Sequence, residues 1–287
     1  MKNSKALFLD LVNQIDIDEH RDEIQSMVYL LLEDIFSLSK ADILSEMEFD
    51  FGDDERKRIG EMVSRINRHE PIQYILGETE FYGRNFRVNN SVLIPRPETE
   101  ELVRLVLVHL TNIALQGRTG RTLDIGTGSG CIPITLALEI PNLEVFATDV
   151  SPDAIEVARE NALRFGARAQ FFINDVLQEK LPVRNLDVVV SNPPYISMKE
   201  KENMKSNVLD FEPHLALFVS DEDPLLFYRV IVEKSRHALV SNGLLAVEIN
   251  ECFGVEVASL FKAHGYTDVG IVRDLSGKER IVKGIVP

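Results

Sequence analysis

The chain has 287 residues, with 46 acidic against 31 basic side chains and a formal net charge of -15. That balance excludes broad, non-specific attraction to phosphate backbones or anionic membranes and leaves room only for a local basic patch. The two cysteines, Cys131 and Cys252, make neither a disulfide framework nor a metal cluster, and are expected to be reduced, buried thiols.

Length alone suits one large domain or two. The start, MKNSKALFLDLVNQIDIDEH, has a short apolar run followed at once by acids, so it reads as no signal peptide. No stretch approaches the length of a membrane span, and a cytoplasmic protein with no membrane partner is expected. Leu7, Leu11, Val28, Leu31, Leu32, Ile35 and Phe36 fall at helical spacing. Ser39 can cap a helix through Ala41 to Met47. Asp53, Asp54 and Glu55 sit where a helix N-terminus favours negative charge, ahead of Ile59, Met62, Val63 and Ile66. Residues 1–72 therefore read as a small acidic all-helical domain that carries no catalytic cluster, suited to docking or support.

From Pro71 the composition turns aromatic and β-branched, punctuated by Gly77, Gly83 and Asn89-Asn90. This predicts a β-hairpin or extended linker, taken as 73–94. Residues 95–287 then alternate strand and helix. RTLDIG (121–126), LEVFATDV (143–150), AQFFIND (169–175), LDVVVSN (186–192) and GLLAVEIN (243–250) read as strands. Helices are predicted from Ser129 to Leu138, after Ser151, and around Leu225 to Ala238. This alternation argues for a parallel, doubly wound α/β sheet.

Four consecutive strands end in chemistry-bearing residues, and in such sheets ligands bind at the carboxyl ends of the strands. The first ends in Gly126, Thr127, Gly128, Ser129 and Gly130, a turn that lets a ligand approach backbone N–H groups at a helix N-terminus. Alone it could serve NAD, another nucleotide or only tight packing. The second ends in Asp149, placed to bind ribose hydroxyls or to cap a helix beside Ser151. The third ends in Asp175 and Val176, either an adenine contact or a turn. The fourth ends in Asn192, Pro193, Pro194 and Tyr195, where proline terminates the sheet ladder.

Taken together, D-x-G-x-G-x-G, the acid after the second strand and N-P-P-Y after the fourth resemble class I S-adenosylmethionine-dependent methyltransferases that act on planar NH2 groups. Three further stretches, HEPIQYILGETEFYGRNFRVNNSVLIPRPETEELV (69–103), FEPHLALF (211–218) and DLSGKERIVKG (274–284), resemble the HemK-type release factor glutamine methyltransferases. The resemblance implies a helical N-terminal domain, a hairpin linker and a Rossmann-like methyltransferase domain. It implies methylation of the glutamine amide in the Gly-Gly-Gln loop of class 1 peptide chain release factors, with S-adenosyl-L-homocysteine as product. Carried across, Gly126–Gly130 would hold the cofactor, Asp149 its ribose, and Asp175 with Val176 its adenine. Some family members carry a large aromatic where Val176 stands. Asn192, Pro193, Pro194 and Tyr195 would receive the glutamine, with Asn192 also beside the cofactor. The segment holding Arg96, Glu98, Thr99 and Glu100 would lie over the cofactor pocket.

For such a reaction the Asn192 side-chain oxygen and the Pro193 carbonyl can accept from the two hydrogens of the NH2 group. Tyr195 can stack on the amide plane. No metal and no histidine is required, and His69, His109, His214, His237 and His264 are scattered. A ribosomal-protein glutamine methyltransferase shares this chemistry. A DNA or RNA adenine amino-group methyltransferase would also use N-P-P-Y, but needs a basic groove that this charge disfavours. A non-catalytic cofactor-binding adaptor is a third reading. A monomer without direct nucleic-acid contact is expected.

Overall fold

The computed structural model describes residues 2–204 and 206–287. The chain forms two compact units. The first runs to Gly77 and gathers in a short segment ending at Phe211; the second comprises Glu78–Met204 and Glu212–Pro287.

The first unit is built of helices Ser4–Gln14, Arg21–Phe36, Lys40–Leu44, Asp53–Ile66 and Ile72–Leu76. Ser39 and Asp42 cap each other's backbone in a reciprocal box, and Asp53, Asp54 and Glu55 occupy the first turn of their helix. Leu7, Leu11, Val28, Leu31, Leu32, Ile59, Met62, Val63 and Ile66 are buried in one core, while Ile35 and Phe36 pack at its margin. Two features depart from the sequence reading. Lys2–Asn3 pairs antiparallel with Glu48–Phe49. Ile72–Leu76 is a helix where extended chain is expected, because burial of Ile72, Tyr74 and Ile75 overrides local β propensity and Gly77 closes the turn at φ 77°.

In the second unit a hairpin pairs Glu78–Phe81 with Arg84–Arg87. The central sheet has strands β1 (Arg121–Ile125), β2 (Glu144–Asp149), β3 (Gln170–Ile173), β4 (Leu186–Ser191), β5 (Leu239–Glu248), β6 (Thr267–Arg273) and β7 (Glu279–Ile285). Their order is β6-β7-β5-β4-β1-β2-β3. The sheet is mixed rather than wholly parallel: β7 runs antiparallel to both β5 and β6, joined to β6 by a hairpin too short for the helical crossover that a parallel pair needs. Helices α1 (Thr99–Leu115), α2 (Cys131–Glu139), α3 (Pro152–Phe165), α4 (Leu226–Ala238) and α5 (Gly254–Ala263) flank it.

The period of two along a strand sorts the two faces. Val188, Val190, Leu244 and Ala246 face α1, α2 and α3, whereas Val189, Leu245 and Val247 face α4 and α5. All six residues of β4 are buried. Both faces being covered explains the unbroken apolar run that precedes Asn192. Both cysteines are free thiols; Cys131 is buried but Cys252 is exposed, on the turn after β5, which corrects the expectation that both are interior. Among the described residues no helix is long and apolar enough to cross a membrane.

Candidate active site

The carboxyl ends of β1, β2, β3 and β4 surround a cavity of about 220 Å³. Gly126, Gly128, Asp149, Asp175, Val176, Asn192, Pro193 and Pro194 all line it. Ser191 Oγ donates to the Ile125 carbonyl at 2.7 Å and binds the ends of β4 and β1 together. Ser91–Leu93, Pro213, Leu215 and Ala216 line it as well.

The glycine turn divides by role. Gly126 and Gly128, at φ 77° and 53°, have no atom within 4 Å of where a Cβ would sit, so they present open backbone to the cavity. Gly130 does not line it: a Cβ there would meet Ile134 Cδ1 at 2.9 Å and Ala158 Cβ at 3.0 Å, so this glycine packs α2 against α3. Thr127 and Ser129 are buried behind the turn. Four amides of the turn have partners within the protein. Gly126 and Thr127 N–H both donate to the Thr148 carbonyl, Gly128 N–H to Asp149 Oδ2, and Gly130 N–H to the Thr127 carbonyl. These four amides are engaged within the protein, so what Gly126 and Gly128 offer a ligand is close approach.

Asp149 accepts from Gly128 N–H and Ser151 N–H, each at 2.9 Å, and Ser151 caps α3 through Ala154 N–H. Burial raises the Asp149 carboxyl, and the backbone N–H groups of Ser151, Gly128 and Val150 oppose that shift. Each of its oxygens keeps a lone pair for a further donor. Asp175 accepts from Leu177 N–H at 2.8 Å while lining the cavity, and Lys234 on α4 pins this turn through the Val176 and Glu179 carbonyls, both at 2.6 Å. Asp124, the acid that opens the glycine motif, is fully buried and its oxygens have no formed hydrogen bond among the described residues. Burial pushes it up to about 7; the nearby Thr127 hydroxyl opposes this and the Asp149 charge adds to it.

At the other end, Asn192 Nδ2 donates to Thr99 Oγ1 at 3.2 Å, and Thr99 Oγ1–H donates to Glu248 Oε2 at 2.7 Å. Tyr195 does not line the cavity; its hydroxyl donates to the other Glu248 oxygen at 3.2 Å. Burial, then the Glu248 charge, raise the Tyr195 phenol. Glu248 itself is 1% exposed.

Residues 91–101, which run into the first turn of α1, anchor this end. Their cavity-lining part is Ser91–Leu93, not Thr99 or Glu100. Arg96 pairs with buried Glu212 at 2.6 Å, Glu100 accepts from Tyr82 N–H at 2.8 Å, and Glu101 from Leu275 N–H at 3.0 Å. Asn161 on α3, fully buried, accepts from Arg87 N–H and donates to the Arg87 and Ser129 carbonyls, joining the hairpin to the glycine turn.

Four residues escaped the sequence reading: Asp124, Asn161, Glu212 and Glu248. Glu248 left a signal, a lone carboxylate in the apolar strand LLAVEI, and Asp124 left one as the first acid of the glycine motif. Asn161, in the polar run of α3, left none.

The chain is 39% identical to the release factor glutamine methyltransferase of Flavobacterium psychrophilum, over 99% of this chain and 98% of that one. It belongs to the release factor glutamine methyltransferase family. The family's enzyme from Bacteroides thetaiotaomicron is 40% identical, over 91% of this chain and 92% of that one. Residues 101–210 match the Methyltransferase small domain and residues 14–77 the PrmC N-terminal domain. Among solved structures, the hMettl16 catalytic domain in complex with a MAT2A 3′UTR hairpin aligns with a TM-score of 0.57 at 15% identity, covering 84% of each chain. A methyltransferase from Pyrococcus furiosus aligns at 0.50 and 18%, covering 77% of this chain and 96% of that one. These two likenesses speak to the class I methyltransferase fold alone. The chain is an S-adenosylmethionine-dependent methyltransferase of that fold.

Proposed function

We propose that this protein methylates the side-chain amide nitrogen of the Gly-Gly-Gln glutamine in class 1 peptide chain release factors. The carrying observation is the state of Asn192. Its Nδ2 is engaged by Thr99, which leaves Oδ1 as the open acceptor at a cavity wall shared with Pro193 and Pro194. The names of the relatives at 39% and 40% identity support the release factor over a ribosomal protein as substrate.

The residues present fit S-adenosylmethionine. Open backbone at Gly126 and Gly128 admits a ligand where a side chain would block it. The lone pairs left on Asp149 suit ribose hydroxyls. Asp175 and buried Val176 offer an acceptor and an apolar wall to a purine. When bound, the cofactor supplies an electrophilic methyl on a sulfonium.

A glutamine amide nitrogen is a weak nucleophile because its lone pair is delocalised into the carbonyl. Asn192 Oδ1 and the Pro193 carbonyl would accept from its two hydrogens, orient it and favour a pyramidal nitrogen. Pro193 and Pro194 stiffen that acceptor, so little reorganisation is needed as charge develops. Tyr195, outside the cavity lining and bound to Glu248, would support this segment from the core side. Holding the nitrogen at near-attack distance supplies much of the rate. We assign docking of the substrate protein to the helical residues 1–72, with 73–94 as linker and 95–287 as the catalytic domain.

The test is intact mass and peptide mapping of a purified class 1 release factor after incubation with this protein and S-adenosylmethionine. One added methyl on the Gly-Gly-Gln glutamine is the expected result. An unmodified release factor would overturn the assignment.

A further inference from the structure

The two ends of an asparagine amide are nearly equal in size, so packing cannot choose which of them faces a cavity; only hydrogen bonding can. The choice at Asn192 traces back to a buried carboxylate. Glu248, at the carboxyl end of β5, receives Thr99 Oγ1–H at 2.7 Å and the Tyr195 hydroxyl at 3.2 Å. An ionised carboxylate can only accept. The single Thr99 hydroxyl proton is therefore committed to Glu248, and the oxygen turns a lone pair toward Asn192. A lone pair there is met by Nδ2, at 3.2 Å, and Oδ1 is left facing the other way.

We propose that Glu248, acting through Thr99, is a positioning residue that fixes the orientation of the Asn192 amide and thereby makes the site select a carboxamide over a carboxylate. The proposal rests on the function assigned above. With Oδ1 presented, a substrate NH2 finds an acceptor and a substrate carboxylate meets a lone pair. With the amide reversed, Nδ2 would repel the NH2 and welcome the carboxylate.

The surroundings of Glu248 suit this role. It is 1% exposed and Thr99 3% exposed, so water does not compete for the relay. Burial pushes the carboxyl up to about 7, while Thr99 and the charge of Arg280 pull it back and Glu98 adds to the rise. Raising the pH to 8 favours the ionised form, which is purely an acceptor. Tyr195 and Thr99 each take a different oxygen, so the acceptor segment after β4 and the start of α1 are set by one group.

The test uses the full-length protein at pH 8 with a full-length release factor and its Gly-Gly-Glu variant as competitor. It reads kcat, the KM of the glutamine form and the Ki of the glutamate form. For T99V the expected result is a kcat loss of about tenfold or more, with the ratio of Ki to KM falling by about tenfold. T99S, which restores the hydroxyl, recovers both. E248Q can turn its oxygen to Thr99 and stays within about threefold of wild type, whereas E248L behaves as T99V. A ratio is insensitive to the fraction of protein that is folded, so a stability defect alone does not mimic the outcome. A T99V protein that keeps the wild-type ratio would overturn the orientation role while leaving the assigned function intact. A wild-type protein that leaves the release factor unmodified overturns the assigned function, and this proposal with it.

Discussion

The two ends of the cavity are built on different principles. The cofactor end is made of backbone: open glycines and an aspartate whose carboxylate is itself held by main-chain N–H groups. The acceptor end is made of side chains in series, Asn192 to Thr99 to Glu248, drawn from the turn after β4, the start of α1 and the end of β5. Backbone fixes a shape that one chemical species fits. A side-chain series fixes a polarity, and polarity is what distinguishes an amide from an acid of the same shape.

If the ends are separable, damage at one should leave the other working. The largest effect is expected from N192A, which removes a preorganised acceptor and should lower kcat by ~10²–10³. Its dissociation constant for S-adenosylmethionine, read by calorimetry, should stay near wild type; a matching loss of cofactor affinity would show that the two ends are one device. The mirror experiment is D149A. Loss of a charged acceptor, about 1.5–3 kcal/mol, corresponds to cofactor binding weaker by ~10-fold to ~150-fold. At saturating cofactor, kcat should change little.

Within the glycine turn the comparison sharpens further. G130A places a Cβ against Ile134 and Ala158 at a left-handed φ of 80°, so it should cost about 1–3 kcal/mol of stability in a denaturant titration. G128A shares the left-handed strain, at φ 53°, but meets open space, so its stability loss should be the smaller of the two and cofactor affinity should fall with it. Equal stability losses in the two variants would erase the division of roles. The smallest effect concerns the thiols, one beside each end. Burial pushes Cys131, at the start of α2, up to about 12, whereas Cys252 is exposed after β5. A thiol reagent should titrate Cys252 alone in the native protein and both after unfolding; rapid modification of Cys131 would mean the cofactor end opens readily.

How much of this was legible in the sequence follows the same division. Strand ends announce themselves locally, since glycine, aspartate and proline break apolar runs, and Gly126, Asp149, Asp175 and Asn192 were all readable at their positions. The separate jobs of Gly126 and Gly130 were not, because the neighbours that decide them, Ile134 and Ala158, come from packed helices. The acceptor series was least legible: Thr99 and Glu248 lie 149 residues apart and meet only when α1 packs on the end of β5. The reversed strand β7 was hidden similarly, since a pattern of apolar residues carries no direction.

Asn161 has a consequence for the timing of ligand capture. Its three hydrogen bonds hold the hairpin residue Arg87 and the glycine-turn residue Ser129 from within the protein, with no ligand contributing. The turn therefore has its shape before anything binds, and little freedom is left for association to remove. Mixing with cofactor in a rapid-flow instrument should give one exponential whose rate climbs linearly with concentration. Releasing that clasp with N161A should bend the plot toward a plateau, the mark of a loop that must first find its shape.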